Sequence, residues 1–196
     1  FKAPVALTDT ACYYRSARML SKMSRVLGLD DPYLARSEEI RAALLRNFVD
    51  ADTGEVAGAC QTSDGCVAFH HLLKPQEEAR LMERLAERIA QNGWHIDYGI
   101  LGSKYVLNML GEYGRTDVIY KMLTREDYPG YLYWVAHGCT TLAECWNLGG
   151  SHNHYMFSDV SAVFYRYFAG IRPDGDIPAY RSFLLAPALD LAIDTL

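Results

Sequence analysis

The chain has 196 residues, half of them hydrophobic and 22% charged, with a formal net charge of −5. A chain this long can bury roughly 70% of its unfolded surface in one core, and this composition excludes intrinsic disorder. The acidic balance and scattered Lys and Arg argue against a nucleic-acid partner, and no apolar run approaches the roughly 18 residues of a membrane span.

Helical periodicity dominates the first two thirds, and the helices come in pairs. Thr8 or Asp9 is expected to cap a first helix that buries Tyr13, Ala17, Leu20 and Leu27 and stops at Gly28. A second helix is expected over 31–47, with Pro32 in its first turn and Leu34, Ile40, Leu44 and Phe48 inward. The turn-rich stretch DADTGEVAG follows. A second pair is expected over 62–73 and 75–91. Pro75 opens the latter helix, Glu77 and Glu78 sit by its positive end, and Asn92 and Gly93 end it. A third pair spans 102–113 and 116–123, split by Gly114.

The aromatic stretch YPGYLYWVAHG, with Pro129 and two glycines, reads as a loop or short hairpin. One more apolar helix is expected over 158–168, ended by Gly170. The far end, AYRSFLLAPALDLAIDTL, reads as the start of a strand. Paired helices of similar length with alternating connections indicate an all-α fold, an α/α toroid or partial (α/α)6 barrel of helix hairpins, over 1–178. A short strand-like C-terminal tail occupies 179–196. The first residues, FKAPVALTDT, have neither a signal-peptide pattern nor an initiating methionine, so the chain reads as an internal piece. Five cysteines without a CxxC pair favour a reducing, cytoplasmic compartment without deciding it.

Chemistry concentrates in TTLAECWNLGGSHNHYMF, residues 140–157. Glu144 has two readings: a capping-box acid folded back onto Thr140 or Thr141, or a carboxylate of a sugar site. The second suits its neighbours, because the Trp146 indole can stack on a pyranose while amide and carboxylate groups bond its hydroxyls. His152, Asn153 and His154 lack the cysteine or carboxylate spacing of a zinc site, so no metal is expected. His154 reads as a partner of a substrate hydroxyl, as a group that orients a carboxylate, or as a cap ahead of the last helix.

A second aromatic and polar loop, 93–99, offers Trp94 and His95 as sugar contacts, with helix-closing packing as the alternative; Trp134 is a third stacking candidate. His70 and His71 read as packing or surface residues. No nucleophile elbow, P-loop or dinucleotide fingerprint is present, and Cys139 and Cys145 lack an identifiable base.

Taken in order, TDTACYYRSARML, NGWHIDYGILGSKYVLNMLGEYGRTDVIYKML, YPGYLYWVAHGCTTLAECWN, GGSHNHYMF and FYRYFAGIRPD resemble the carboxyl-terminal half of the catalytic domain of bacterial α-L-rhamnosidases, glycoside hydrolase family 78. The resemblance covers nearly the whole chain. It implies an (α/α)6 barrel followed by a β-sandwich, inverting cleavage of terminal α-L-rhamnose, and no cofactor. By resemblance Glu144 is the general base that activates water, and His154 contacts the sugar. Inversion needs a second carboxyl group about 6.5–9.5 Å across the scissile bond, and in the family that acid comes from the missing amino-terminal part of the barrel. Asp97 and Asp159 are the local candidates to stand in for it.

Ala143 replaces a Trp usual in the family, Cys145 an Arg that is frequent there, and His152 an aromatic. These departures keep two other classes open. One is a noncatalytic carbohydrate-binding toroid. The other is a different toroid enzyme, a polysaccharide lyase or unsaturated glucuronyl hydrolase, though such a site would want an Arg or Lys near its base.

Overall fold

In the computed structural model, residues 2–175 and 177–189 are described, Pro178 by its backbone alone. Among the described residues eight α-helices run in the order α1 Val5–Leu27, α2 Tyr33–Phe48, α3 Gln61–Phe69, α4 Pro75–Gln91, α5 Ile100–Glu112, α6 Thr116–Leu123, α7 Tyr131–Ala136 and α8 Asp159–Val163. Helices α1 and α2, α3 and α4, and α5 and α6 form hairpins. Helix α1 also packs beside α3, α3 beside α5, and α5 beside α8. Those four make one layer and the alternate helices its outer cover, which is the arc of an α/α toroid. None of the described helices is long and apolar enough to cross a membrane.

Local chemistry explains the boundaries. Helix α4 starts at Pro75, whose missing N–H costs nothing in a first turn, and the Lys74 N–H donates to Glu77 Oε2 at 3.1 Å. Leu81, Met82, Leu85, Ala86 and Ile89 then recur at helical spacing and are buried. Arg88 ties α4 to the elements before it: its Nε donates to Asp64 Oδ2 at 3.0 Å, Nη1 to the Ala59 carbonyl at 2.9 Å and Nη2 to Glu55 Oε1 at 2.8 Å. Burial still lifts the Asp64 carboxyl to about 6, against the pull of Arg88. The expected turn after α2 is present, closed by a bridge between Val49 and Val56 and by the Thr53 N–H donating to Asp50 Oδ1 at 2.7 Å.

Several expectations change. Helix α1 begins at Val5, and Thr8 lies inside it, its hydroxyl donating to the Val5 carbonyl. Its buried stripe is Leu7, Ala11, Tyr14, Ala17, Ser21 and Ser24, whereas Tyr13, Leu20 and Leu27 are exposed; on α2, Leu34 is exposed too. Small side chains on the inner stripe let α2 pack closely, and the larger neighbours are left outside. The segment expected as a loop or hairpin contains α7, a six-residue helix that buries Tyr131 and Trp134. The last helix is not uniform: a 3-10 turn over Tyr155–Phe157, α8, and a π-helical turn over Phe164–Phe168 follow one another. At that turn the Tyr167 ring lies against Gly111 of α5, where a Cβ would collide with it.

Strands β1 Ile171–Pro173 and β2 Phe183–Leu185 pair antiparallel, Ile171 opposite Leu185. Strand structure therefore begins before residue 179. The part of the expected strand over 190–196 lies outside the described residues.

Candidate active site

The connections that lead into α3, α5 and α8 meet at one end of the arc. Gln61, wholly buried at the start of α3, donates through Nε2 to the His95 carbonyl at 2.8 Å and accepts the Asp97 N–H on Oε1 at 3.1 Å. The Trp146 indole N–H donates to the Tyr98 carbonyl at 2.7 Å, and the Trp134 indole N–H donates to the Trp146 carbonyl at 3.1 Å. The two indoles stack 4.5 Å apart at 23°. Tyr131 and Phe157 pack against both of them. This aromatic mass is the floor on which residues 140–157 lie.

Above it the chain doubles back without forming a helix. The Glu144 N–H donates to the Ser151 carbonyl at 2.8 Å, and the His154 N–H donates to the Leu142 carbonyl at 2.8 Å. Leu148 and Gly150 take positive φ to make the return. Glu144 is thus no capping-box acid. Its Oε2 accepts the Ser151 N–H at 3.0 Å and stands 3.9 Å from His154 Nδ1. The Glu144 side chain is 41% exposed and that of His154 32%. The exposure leaves the carboxylate open to water.

Of the expected sugar contacts, the fold gathers Glu144, Trp146, Asn153 and His154 on one doubled segment. Asn153 is exposed, and its N–H donates to Ser151 Oγ at 3.2 Å. Trp134 is 2% exposed and presents no face to a ligand, which corrects its reading as a stacking platform. Trp94 is half-buried, with the Lys121 ammonium 4.2 Å from its ring centre. His95 is held at both nitrogens, Nδ1 2.8 Å from the Asn92 carbonyl and Nε2 2.9 Å from Asp127 Oδ2. Arg125 and then His95 hold the Asp127 carboxyl well below the usual carboxylate range.

His154 makes no side-chain cap to the turn that follows it. His152 Nε2 lies 2.8 Å from the Leu148 carbonyl. Among the described residues no three His, Cys, Asp or Glu side chains converge as metal ligands. The backbone donor Ser151, the clamp Gln61 and the packing ring Tyr131 escaped the sequence reading; the paired glycines before SHNH were the available sign of a tight return under Glu144.

A hairpin arc with a carboxylate and an imidazole on the loops at one end is the architecture of an α/α-toroid domain. The chain belongs to the family of the bacterial alpha-L-rhamnosidase 6 hairpin glycosidase domain, whose model matches residues 1–168. It is similar to the alpha-L-rhamnosidase of Alteromonas sp. (strain LOR), 27% identical across 94% of this chain and 21% of that protein. A second relative, the alpha-L-rhamnosidase of Streptomyces avermitilis, is 30% identical across 95% of this chain and 19% of that protein.

Among solved structures, that of the Streptomyces avermitilis enzyme complexed with L-rhamnose superposes with a TM-score of 0.82 at 29% identity, covering 91% of this chain and 18% of that one. The alpha-L-rhamnosidase from Aspergillus terreus shares the fold, with a TM-score of 0.81 at 22% identity over 88% of this chain and 22% of that one. The chain spans about a fifth of the length of the curated relatives it matches.

Proposed function

We propose that this chain forms the base-bearing side of an active site that removes terminal α-L-rhamnose from glycosides or polysaccharides with inversion. The observation that carries the reading is Glu144, a half-open carboxylate pinned by Ser151 and flanked by His154 on the loops at one end of a hairpin arc. Family membership supports it, as does the likeness to a structure complexed with L-rhamnose. Glu144 takes a proton from the attacking water, His154 and Asn153 bond sugar hydroxyls, and the open part of Trp146 stacks on the ring. Trp94 and His95 wall the neighbouring turn. No cofactor takes part.

Inversion places the acid on the far side of the bond with a water-sized gap between the two carboxyls. Asp97 is paired with Lys2 and Asp159 accepts a bond from Asn108. The acid is assigned to neither but to a segment outside 1–196, as the family resemblance implies. The helical part belongs to the barrel, and the β1–β2 hairpin begins the β segment that follows it.

The test is hydrolysis of an aryl α-L-rhamnoside by the protein that carries this chain, wild type against Glu144→Gln. The variant should lose about 10²–10⁴-fold in kcat. The first-formed sugar should be the β-anomer by NMR. Activity retained within about tenfold would remove Glu144 from the base role.

A further inference from the structure

Helices α3 and α5 end away from the Glu144 turn, and there three elements meet on one buried carboxylate. Glu78, in the first turn of α4, is 5% exposed. Its Oε1 accepts the hydroxyl of Tyr113, the residue just past α5, at 2.8 Å. The same oxygen lies 3.1 Å from Nδ1 of His71, in the turn that joins α3 to α4. A buried carboxylate is costly unless a partner meets its charge. Tyr113 supplies a hydrogen bond but no charge. His71 supplies both, and only while its ring carries two protons.

The backbone at His71 singles this contact out. The His71 N–H donates to the Ala68 carbonyl at 2.8 Å and the Leu72 N–H to the Val67 carbonyl at 3.2 Å, which is the Schellman closure of a helix. That closure puts His71 at φ +49°, in the left-handed position where glycine is the ordinary choice. A glycine there would remove the strain and with it the ring that meets Glu78. The ring is also in reach of solvent protons, its side chain being 63% exposed.

The hydrogen bond to Glu78, working against burial, raises His71 above its usual 6.5; the charges of Glu78 and of Glu112 on α5 add to this, and Arg15 on α1 opposes it. Burial holds the neighbouring His70 down at about 4, and burial with Glu78 pushes Tyr113 up to about 12. Between pH 6.5 and about 9 neither of those two changes charge.

We propose that His71 is a pH-sensitive tie: protonated, it closes the α3–α4 turn onto Glu78 and so onto the end of α5, and on losing its proton it releases that turn. The tied state holds a proton that the released state has given up above pH 6.5, so the tie is whole below 6.5 and is lost as pH rises through the raised value.

The test is hydrogen exchange read by mass spectrometry on the protein that carries this chain. It follows the amides of residues 68–80 from pH 6.5 to about 9, with the intrinsic pH dependence of exchange divided out. Protection in wild type should fall about two- to fivefold over that interval, the reach of a half-open ion pair. His71→Asn tolerates the left-handed backbone but does not titrate, and its protection should stay level. Glu78→Gln keeps the shape and removes the charge, so its profile should be level too. A level wild-type profile, or a fall that persists in His71→Asn, overturns the tie. So does a parallel fall in wild type over residues 140–157, which would mark loosening of the whole domain. Should Glu78→Gln fail to fold, His71→Asn decides alone, because its side chain is exposed.

Discussion

Gly150 is where the backbone meets the carboxylate proposed as the base. It has a φ of +78°, and a Cβ placed on it would lie 2.5 Å from Glu144 Oε2 and 3.1 Å from its carboxyl carbon. Gly150→Ala therefore perturbs in two ways that separate experimentally. Holding a side-chain-bearing residue in the left-handed region costs about 1–2 kcal/mol, which for a chain of this length lowers Tm by about 2–8 °C.

The collision also pushes the carboxylate outward by most of an ångström, because ordinary contact starts near 3.4 Å. A misplacement of about 1 Å can cost about 10²-fold in rate, so kcat on an aryl α-L-rhamnoside should fall ten- to hundredfold with KM little changed. Gly149→Ala is the matched control: its Cβ would meet only the Asn147 side chain, at 3.2 Å or beyond, and it should do neither. If Gly150→Ala retains kcat within about twofold while Glu144→Gln abolishes it, the carboxylate's position does not depend on this contact and the reasoning fails.

Gly111→Ala should destabilise the fold by about 1–3 kcal/mol, since the new methyl enters the Tyr167 ring between α5 and the π-helical turn. Urea unfolding with an unchanged m-value and a lower midpoint would show it, and a raised midpoint would contradict the packing described. His70 gives a pH dependence. It is buried with neither ring nitrogen bonded among the described residues, and burial, then Arg15 and His71, push it down to about 4 from 6.5. The folded state thus holds fewer protons than the unfolded one between those values. This contribution is whole above pH 6.5 and is lost as pH falls towards 4, by at most about 3 kcal/mol. Relative to wild type, His70→Leu should show a shallower loss of Tm over that interval, and parallel curves would refute the assignment.

Helices α4 and α6 were legible residue for residue because a proline or threonine opens each and their apolar residues recur at 3.6. The face of α1 is hard to read because large side chains draw the pattern, whereas the inward stripe mixes Leu7 and Tyr14 with Ala11, Ala17, Ser21 and Ser24, whose burial only a packed neighbour reveals. Helix α7 was hidden by Pro129 and Gly130 just ahead of it and Gly138 just behind. Glu144 stands out as a candidate through its neighbours in sequence and through the family resemblance. The Ser151 N–H that holds it is a backbone group, identical in every residue, so only the paired glycines beside it point to the turn. Trp134 went astray for a related reason: an indole suited to a sugar is equally suited to a core, and only exposure distinguishes them.

The clasp under Glu144 has a consequence for how this site can change. Glu144 to Ser151 and His154 to Leu142 are main-chain bonds, indifferent to the side chains the segment carries outside the turn at Leu148 and Gly150. Cys145 lies next to the carboxylate in sequence and is exposed, so its replacement need not disturb the clasp. Position 145 is thus a dial on the field around Glu144 that turns without moving its main chain, so charge and reach can vary there while the carboxylate stays in register.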